Sequence, residues 1–458
     1  MKFITSIVLL LFSLGAGASA GYRSQFDFRL YKKEANDTGP TILIIGGIQG
    51  DEPGGFNAAA LLATEYTISR GNLWVVPNLN FESIIKRSRG VYGDLNRKFS
   101  ELDQNDPEYD LIQKIKAIIQ DQQIDIVLNL HDGSGFYRKK YVDRLHGPQR
   151  WGQSIIIDQE KIETQRYGEL MSLAKEVRET VNSVIKDEGA RYHVRNTRTR
   201  DGDTEMEKTL TYFSIRNQKP AFGLEVSKEY LTHERVYYHL LLVESFMHKL
   251  GIEFKRSFAL QKAAIKDRID NHVRLSINDG KIYLDVANAR RRLAYVPLKK
   301  SAPVDLDSNS PLLAIINDHN GYRVRYGNRH VTFLHPQYFD YDSSLEKVRL
   351  EVDGQAQTIA LGSIVEIKHS LLVDPLPGYR ANIIGFRKAG LKNEVGVLIR
   401  RNDISSRFSV DRKARLFRLE FYKDNKYCGM LLLNFRNKNS AQISSLSAKV
   451  RASAPLKK

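Results

Sequence analysis

Thr41-Ile42-Leu43-Ile44-Ile45-Gly46-Gly47-Ile48-Gln49-Gly50-Asp51-Glu52-Pro53-Gly54-Gly55 is an apolar run that empties into a glycine-rich, acidic loop. An apolar run without alternation fits a strand covered on both faces, as in a parallel sheet. Gly46 and Gly47 end that strand, and Phe56 to Tyr66 continues with helical periodicity. Strand, loop and helix in this order open a βα unit. Open α/β sheets carry their sites in the loops at the carboxyl ends of such strands, so the loop from Gly46 to Gly55 is the first place to look for chemistry.

The same alternation continues to about Lys249. Leu73 to Val76 and Ile124 to Leu130 read as strands, Pro107 to Gln123 and Glu160 to Lys186 as helices, and Ala221 to Val226 as a strand feeding a helix over Glu234 to Leu250. The expected architecture is α/β, a sheet flanked by helices. Beyond Gly251, apart from a helix expected near Ala259 to Arg268, the pattern changes to short alternating segments broken by turn signals. Val273 to Ile277, Asn278-Asp279-Gly280 and Ile282 to Val286 form a hairpin signature. Further strands are expected near Arg323 to Tyr326, Val348 to Val352, Ile364 to Lys368, Val395 to Ile399, Leu416 to Tyr422 and Met430 to Phe435. A break between His335-Pro336 and Ser344 divides this half into two small all-β domains, with one longer sandwich as the alternative. The expected division is 21–250, 251–340 and 341–458, with a polar tail from Ser445 that is expected to be disordered.

A chain of 458 residues with 42% hydrophobic and 27% charged residues suits a multidomain folded protein. Lys2, an apolar stretch from Phe3 to Leu14 and Ala18-Ser19-Ala20 have the layout of a secretory signal over residues 1–20. No comparable apolar run follows, so no transmembrane segment is expected after cleavage. A net charge of +17 suggests anionic partners. Export excludes nucleic acid and leaves anionic envelope polymers or membrane surfaces. The single cysteine, Cys428, allows neither an intramolecular disulfide nor a cysteine-based metal cluster.

Four segments carry candidate chemistry. Gln49 and Glu52, three residues apart, can present an amide oxygen and a carboxylate to one metal if their loop opens into a helical turn; a distant His would complete an open zinc site. His131, at the end of Leu128-Asn129-Leu130, is the candidate, with Asp132 or a nearby carbonyl orienting it. Arg87-Ser88-Arg89-Gly90-Val91-Tyr92-Gly93-Asp94-Leu95-Asn96-Arg97 supplies Arg97 and Asn96 to hold a terminal carboxylate, and Arg89 to steady an oxyanion. Glu225, in Phe222-Gly223-Leu224-Glu225-Val226, is an acid among apolar residues, where burial raises a carboxyl pKa toward the range of a general base.

In this order the segments resemble the zinc metallocarboxypeptidase superfamily, with its H-x-x-E, D-L-N-R, strand-end H and strand-end catalytic E. The resemblance covers about residues 40 to 250, and Gln49 stands where that pattern has a histidine. That substitution, the signal and the trailing β domains are similar to the cell-shape-determining peptidoglycan D,L-carboxypeptidases of helical and curved Gram-negative bacteria. The resemblance implies a periplasmic enzyme that removes meso-diaminopimelate (mDAP) from muramyl tripeptides. It implies a zinc-carboxypeptidase-like mixed sheet, Zn2+ on Gln49, Glu52 and His131, Glu225 as general base and acid, and Arg89, Asn96 and Arg97 on the substrate. It adds Trp151 and Thr211 as contacts to the mDAP end. Two other readings remain at this point: a deacylase of the aspartoacylase or succinylglutamate desuccinylase type, and a wall-binding protein without catalysis.

Overall fold

The computed structural model describes residues 26–37, 39–388 and 391–435. The expected signal over 1–20 and the tail from Ser445 lie outside these residues.

The amino-terminal half is a seven-stranded mixed sheet. Its strands are β1 (Tyr31–Glu34), β2 (Thr41–Ile45), β3 (Asn72–Val76), β4 (Ile126–Gly133), β5 (Ser154–Ile157), β6 (His193–Asn196) and β7 (Ala221–Ser227), in the spatial order β1-β3-β2-β4-β7-β5-β6. The four central strands run parallel, while β1 joins β3 and β5 joins β7 antiparallel. The central position explains the unbroken apolar run of β2, in which every residue is buried. The main helices are α1 (Pro53–Glu65), α2 (Phe81–Lys86), α3 (Tyr109–Ile119), α4 (Leu170–Val184), α5 (Leu210–Arg216) and α6 (Thr232–Lys249). The helix expected from Glu160 begins only at Leu170, after Gly168. Asn80 caps α2 by accepting from the Ser83 N–H at 3.1 Å, and Arg87 ends it in the left-handed region at φ 57°. The cap and the stop aim the chain toward Arg89.

Apart from the helix Lys262–Asn271, close to the one expected at Ala259 to Arg268, the second half is built of β strands, as the patterning predicts. The hairpin Arg274–Ile277/Ile282–Asp285 forms with Ile277 opposite Ile282, and Leu306–Ser308 adds a third strand. Next comes a four-stranded sheet in the order Arg292–Lys299, Arg329–Phe339, Gly321–Tyr326, Leu313–Asp318. The break expected at His335-Pro336 is instead the interior of one long strand, Arg329–Phe339. Proline is tolerated there because the antiparallel partner stops at Leu334, so Pro336 has a strand on one side only. Two further four-stranded sheets pack around Phe417, Phe421, Leu431 and Leu433 as a sandwich with its own core. The middle sheets have no such independence: their buried residues Leu275, Val296 and Leu334 belong to one continuous core with Ile44, Leu128 and Phe246 of the amino-terminal half. Cys428 is free and buried in the sandwich, a small apolar filler. Among the described residues no helix is long and apolar enough to cross a membrane.

Candidate active site

The carboxyl ends of β2, β4 and β7 deliver the loop and strand-end residues to one cavity of about 250 Å³. Between β2 and α1 the chain makes a turn, and α1 begins at Pro53, so Gln49 and Glu52 are brought together by a turn rather than by a helical turn. Glycine is required there. A Cβ on Gly50 would lie 2.1 Å from the Ser83 backbone, and one on Gly54 would lie 2.3 Å from Asp132 Oδ1.

Parallel pairing of β4 with β7 sets His131 opposite Glu225 in register. Facing residues of neighbouring strands project to the same side of a sheet, so the imidazole and the carboxylate enter the cavity together. Gly133 makes room for the acid, because a Cβ there would stand 2.6 Å from Glu225 Oε2. Asp132 takes the other side of the strand by simple alternation. It does not orient His131, contrary to the sequence expectation. Instead it accepts from the Gly54 N–H at 2.8 Å and from Arg235 at 3.1 Å, and lies 3.1 Å from His239 Nε2, tying the head of α1 to α6.

His131 Nδ1 lies 3.0 Å from Glu52 Oε2, which also accepts from the Asp132 N–H at 3.1 Å. Burial works against a charged imidazole, but the negative charge of Glu52 and its hydrogen bond outweigh it and hold the His131 pKa above the ordinary value. Burial pushes the Glu225 carboxyl up to about 7; His131 pulls it down, and Glu52 and Asp132 push it further up. Two cations fringe Glu52: Arg89 Nη1 at 3.7 Å and Lys228 Nζ at 3.8 Å.

Asp94 organises the remaining pieces. It accepts from Gln49 Nε2 at 2.7 Å, from Arg89 Nε at 2.9 Å and from the Asn96 N–H at 3.0 Å. An ionised carboxylate only accepts; the amide nitrogen of Gln49 is therefore committed to Asp94 and its carbonyl oxygen is the end left for a metal. This orientation, with an acid and an imidazole in contact beside it, fits a cation held by two oxygen donors and one nitrogen. The Asn96 side-chain oxygen is likewise taken, by the Leu210 N–H at 3.0 Å, which leaves its NH2 for a ligand. The Arg97 guanidinium donates to its neighbour's carbonyl at 3.0 Å and lines the same cavity.

Every residue singled out from the sequence, namely Gln49, Glu52, Arg89, Asn96, Arg97, His131, Trp151, Thr211 and Glu225, lines this one cavity. The Arg195 guanidinium lies 3.8 Å from the centre of the Trp151 ring and stiffens that wall. Lys228, Met206 and Thr209 also line the cavity and were not foreseen. Lys228 stands three residues past Glu225, at the strand end where such residues collect; nothing in the sequence marks the other two.

Residues 7–270 match the family described as carboxypeptidase controlling helical cell shape, catalytic, and residues 341–436 match the C-terminal domain of metallo-carboxypeptidase. The chain belongs to this family of metallocarboxypeptidases. Among solved structures, the apo cell shape determinant protein Csd4 from Helicobacter pylori is 39% identical, with 90% of this chain and 100% of that chain covered and a TM-score of 0.81. The tripeptide-bound form of Csd4 has the same identity and coverage with a TM-score of 0.80. The mDAP-bound form of Helicobacter pylori Csd4, a D,L-carboxypeptidase, is 39% identical over 88% of this chain and 100% of that chain, with a TM-score of 0.81. No curated protein matches the chain. Membership sets the carboxypeptidase reading above the deacylase and the non-catalytic wall binder.

Proposed function

We propose that the protein is a zinc-dependent D,L-carboxypeptidase of the periplasm that removes mDAP from the muramyl tripeptide of peptidoglycan, leaving the dipeptide. The observation that carries this reading is the convergence of Gln49, Glu52 and His131 on one cavity, with Glu225 in register beside His131. The tripeptide and mDAP bound to Helicobacter pylori Csd4 support the choice of substrate. The signal-like pattern of residues 1–20 supports the compartment.

Gln49, Glu52 and His131 would hold the zinc. When bound, zinc supplies Lewis acidity to the scissile carbonyl and acidifies the attacking water. Glu225 takes the proton of that water and returns it to the departing amine, and a carboxyl raised to about 7 is suited to move a proton both ways near neutral pH. Arg97 and the NH2 of Asn96 clamp the terminal carboxylate, while Arg89, held by Asp94, steadies the oxyanion.

Digestion of defined muramyl tripeptide, tetrapeptide and pentapeptide, read by mass spectrometry, tests the reading. The expected result is loss of mDAP from the tripeptide alone. No product from the tripeptide, or release of alanine from the longer stems, would overturn it.

A further inference from the structure

The middle four-stranded sheet carries a second cavity, of about 590 Å³, whose walls share no residue with the catalytic one. Phe333, on the long strand Arg329–Phe339, lies opposite Arg292 on one side and opposite Arg323 on the other. Neighbours in register project to the same face of a sheet, so two guanidinium groups flank one aromatic ring on backbones roughly 10 Å apart, two strand spacings. Leu293 and Leu334, next along their strands, turn the other way into the core. His335, two residues past Phe333 and therefore on its face, packs its ring 4.7 Å from that of Phe333. Arg291 and His330 complete the basic wall.

Asp318 is the one acid lining this cavity, and it is already paired with Arg323. Nearby arginines of the same region are spent inside the molecule. Arg290 donates to Ser409 Oγ at 2.9 Å, Arg325 to the Ile85 carbonyl at 2.6 Å and Arg329 to Asp270 at 2.6 Å. Arg291 and Arg292 are exposed and make no ion pair or side-chain hydrogen bond among the described residues. Burial, and then the charges of Arg323, Arg325 and Arg291, hold the His330 pKa below its ordinary value, the mark of a positive potential on this face. A concave site lined by one sign of charge concentrates the opposite sign. The cavity's one large apolar wall residue, Phe333, is half-buried between the arginines and offers nothing to insert into a bilayer. An anionic polymer outside the membrane fits it better.

We propose that the face built from Arg291, Arg292 and Arg323 is a docking site for the carboxylates of intact peptidoglycan, holding one stem peptide while the catalytic cavity works on another. The proposal rests on the substrate reading given above, in which the stem ends in mDAP, a diacid. Guanidinium groups are the side chains best matched to carboxylates. A second site on the same chain raises the effective concentration of stems at the catalytic cavity only where the substrate is polymeric. A soluble muramyl tripeptide, with a single stem, gains nothing from it.

The test compares the full-length protein with its Arg291→Glu/Arg292→Glu variant on soluble muramyl tripeptide and on purified sacculi with tripeptide stems. Kinetics on the soluble tripeptide should agree within about twofold, since one stem cannot engage both sites. Release of mDAP from sacculi should fall about tenfold or more, the scale of losing and reversing two charged contacts. Co-sedimentation with sacculi, in a Glu225→Gln background that leaves the stems intact, should fall likewise and weaken as salt is raised. Sacculus binding that ignores the pair or ignores salt would overturn the proposal. So would an equal loss on the soluble tripeptide, which would place the effect in the catalytic cavity. Binding to phosphatidylglycerol vesicles that depends on the pair, with sacculus binding that does not, would assign the face to a membrane instead. Hydrolysis of the soluble tripeptide together with sacculus binding indifferent to the pair would defeat this inference alone. Sacculus binding that depends on the pair, in a protein that hydrolyses no tripeptide, would defeat the enzymatic reading and leave this one standing.

Discussion

Asp94 and Gln49 are joined by a 2.7 Å hydrogen bond in which the amide nitrogen of Gln49 is the donor. The bond decides which end of a symmetric-looking side chain faces the metal position, and the same carboxylate fixes Arg89 and the Asn96 backbone. Asp94→Ala releases all three. Metal affinity should fall about 10- to 100-fold, the usual effect of losing a partner that orients a ligand. Competition with a chromogenic chelator measures this, and an unchanged affinity would remove Gln49 from the ligand set.

Gln49→His replaces a neutral oxygen donor by imidazole, a better zinc ligand. The same chelator assay should show tighter binding. Turnover need not follow, because Asp94 and the turn are built around an amide. A weaker or equal affinity would contradict the assignment.

Glu225→Gln keeps the shape beside His131 and lies outside the proposed ligand set. Zinc content should stay near wild type while turnover drops by roughly two to four orders of magnitude, the range of general acid and base catalysis. Arg97→Ala should instead raise KM for the tripeptide and lower kcat/KM by about 3 kcal/mol, the scale of a lost charged clamp. Metal analysis and steady-state kinetics on both variants separate the two roles.

Zinc binding should release protons. Glu225 is raised to about 7 and so carries a proton below that pH in the metal-free protein, and His131, held above its ordinary pKa, keeps its proton to higher pH than a free imidazole. A cation favours the deprotonated forms, and affinity must therefore fall as pH drops through that range. Calorimetry at pH 6.5 in buffers of different ionisation enthalpy counts the protons. Glu225→Gln should lower the count, and a count of zero in wild type would contradict the site.

The sequence displays the site more fully than the β half. Gln49, Glu52, His131 and Glu225 were legible because each ends a strand or opens a loop, where apolar patterning stops and a lone polar residue stands out. The direction of Asp132 follows from alternation along the strand: adjacency to His131 in sequence puts the two side chains on opposite faces. The Arg329–Phe339 strand was hidden by Pro336, whose effect depends on where the neighbouring strand ends.

The undivided core described above determines how the molecule comes apart. The sheets between Arg274 and Phe339 share buried contacts with the amino-terminal half, whereas the sandwich has a core of its own and joins the shared one only through residues such as Tyr422, Tyr427, Met430 and Leu432. Apolar groups that share one core lose their packing together. Differential scanning calorimetry of the intact chain should therefore resolve two cooperative melting units. Zinc should raise the midpoint of the unit that holds the cavity and leave that of the sandwich in place.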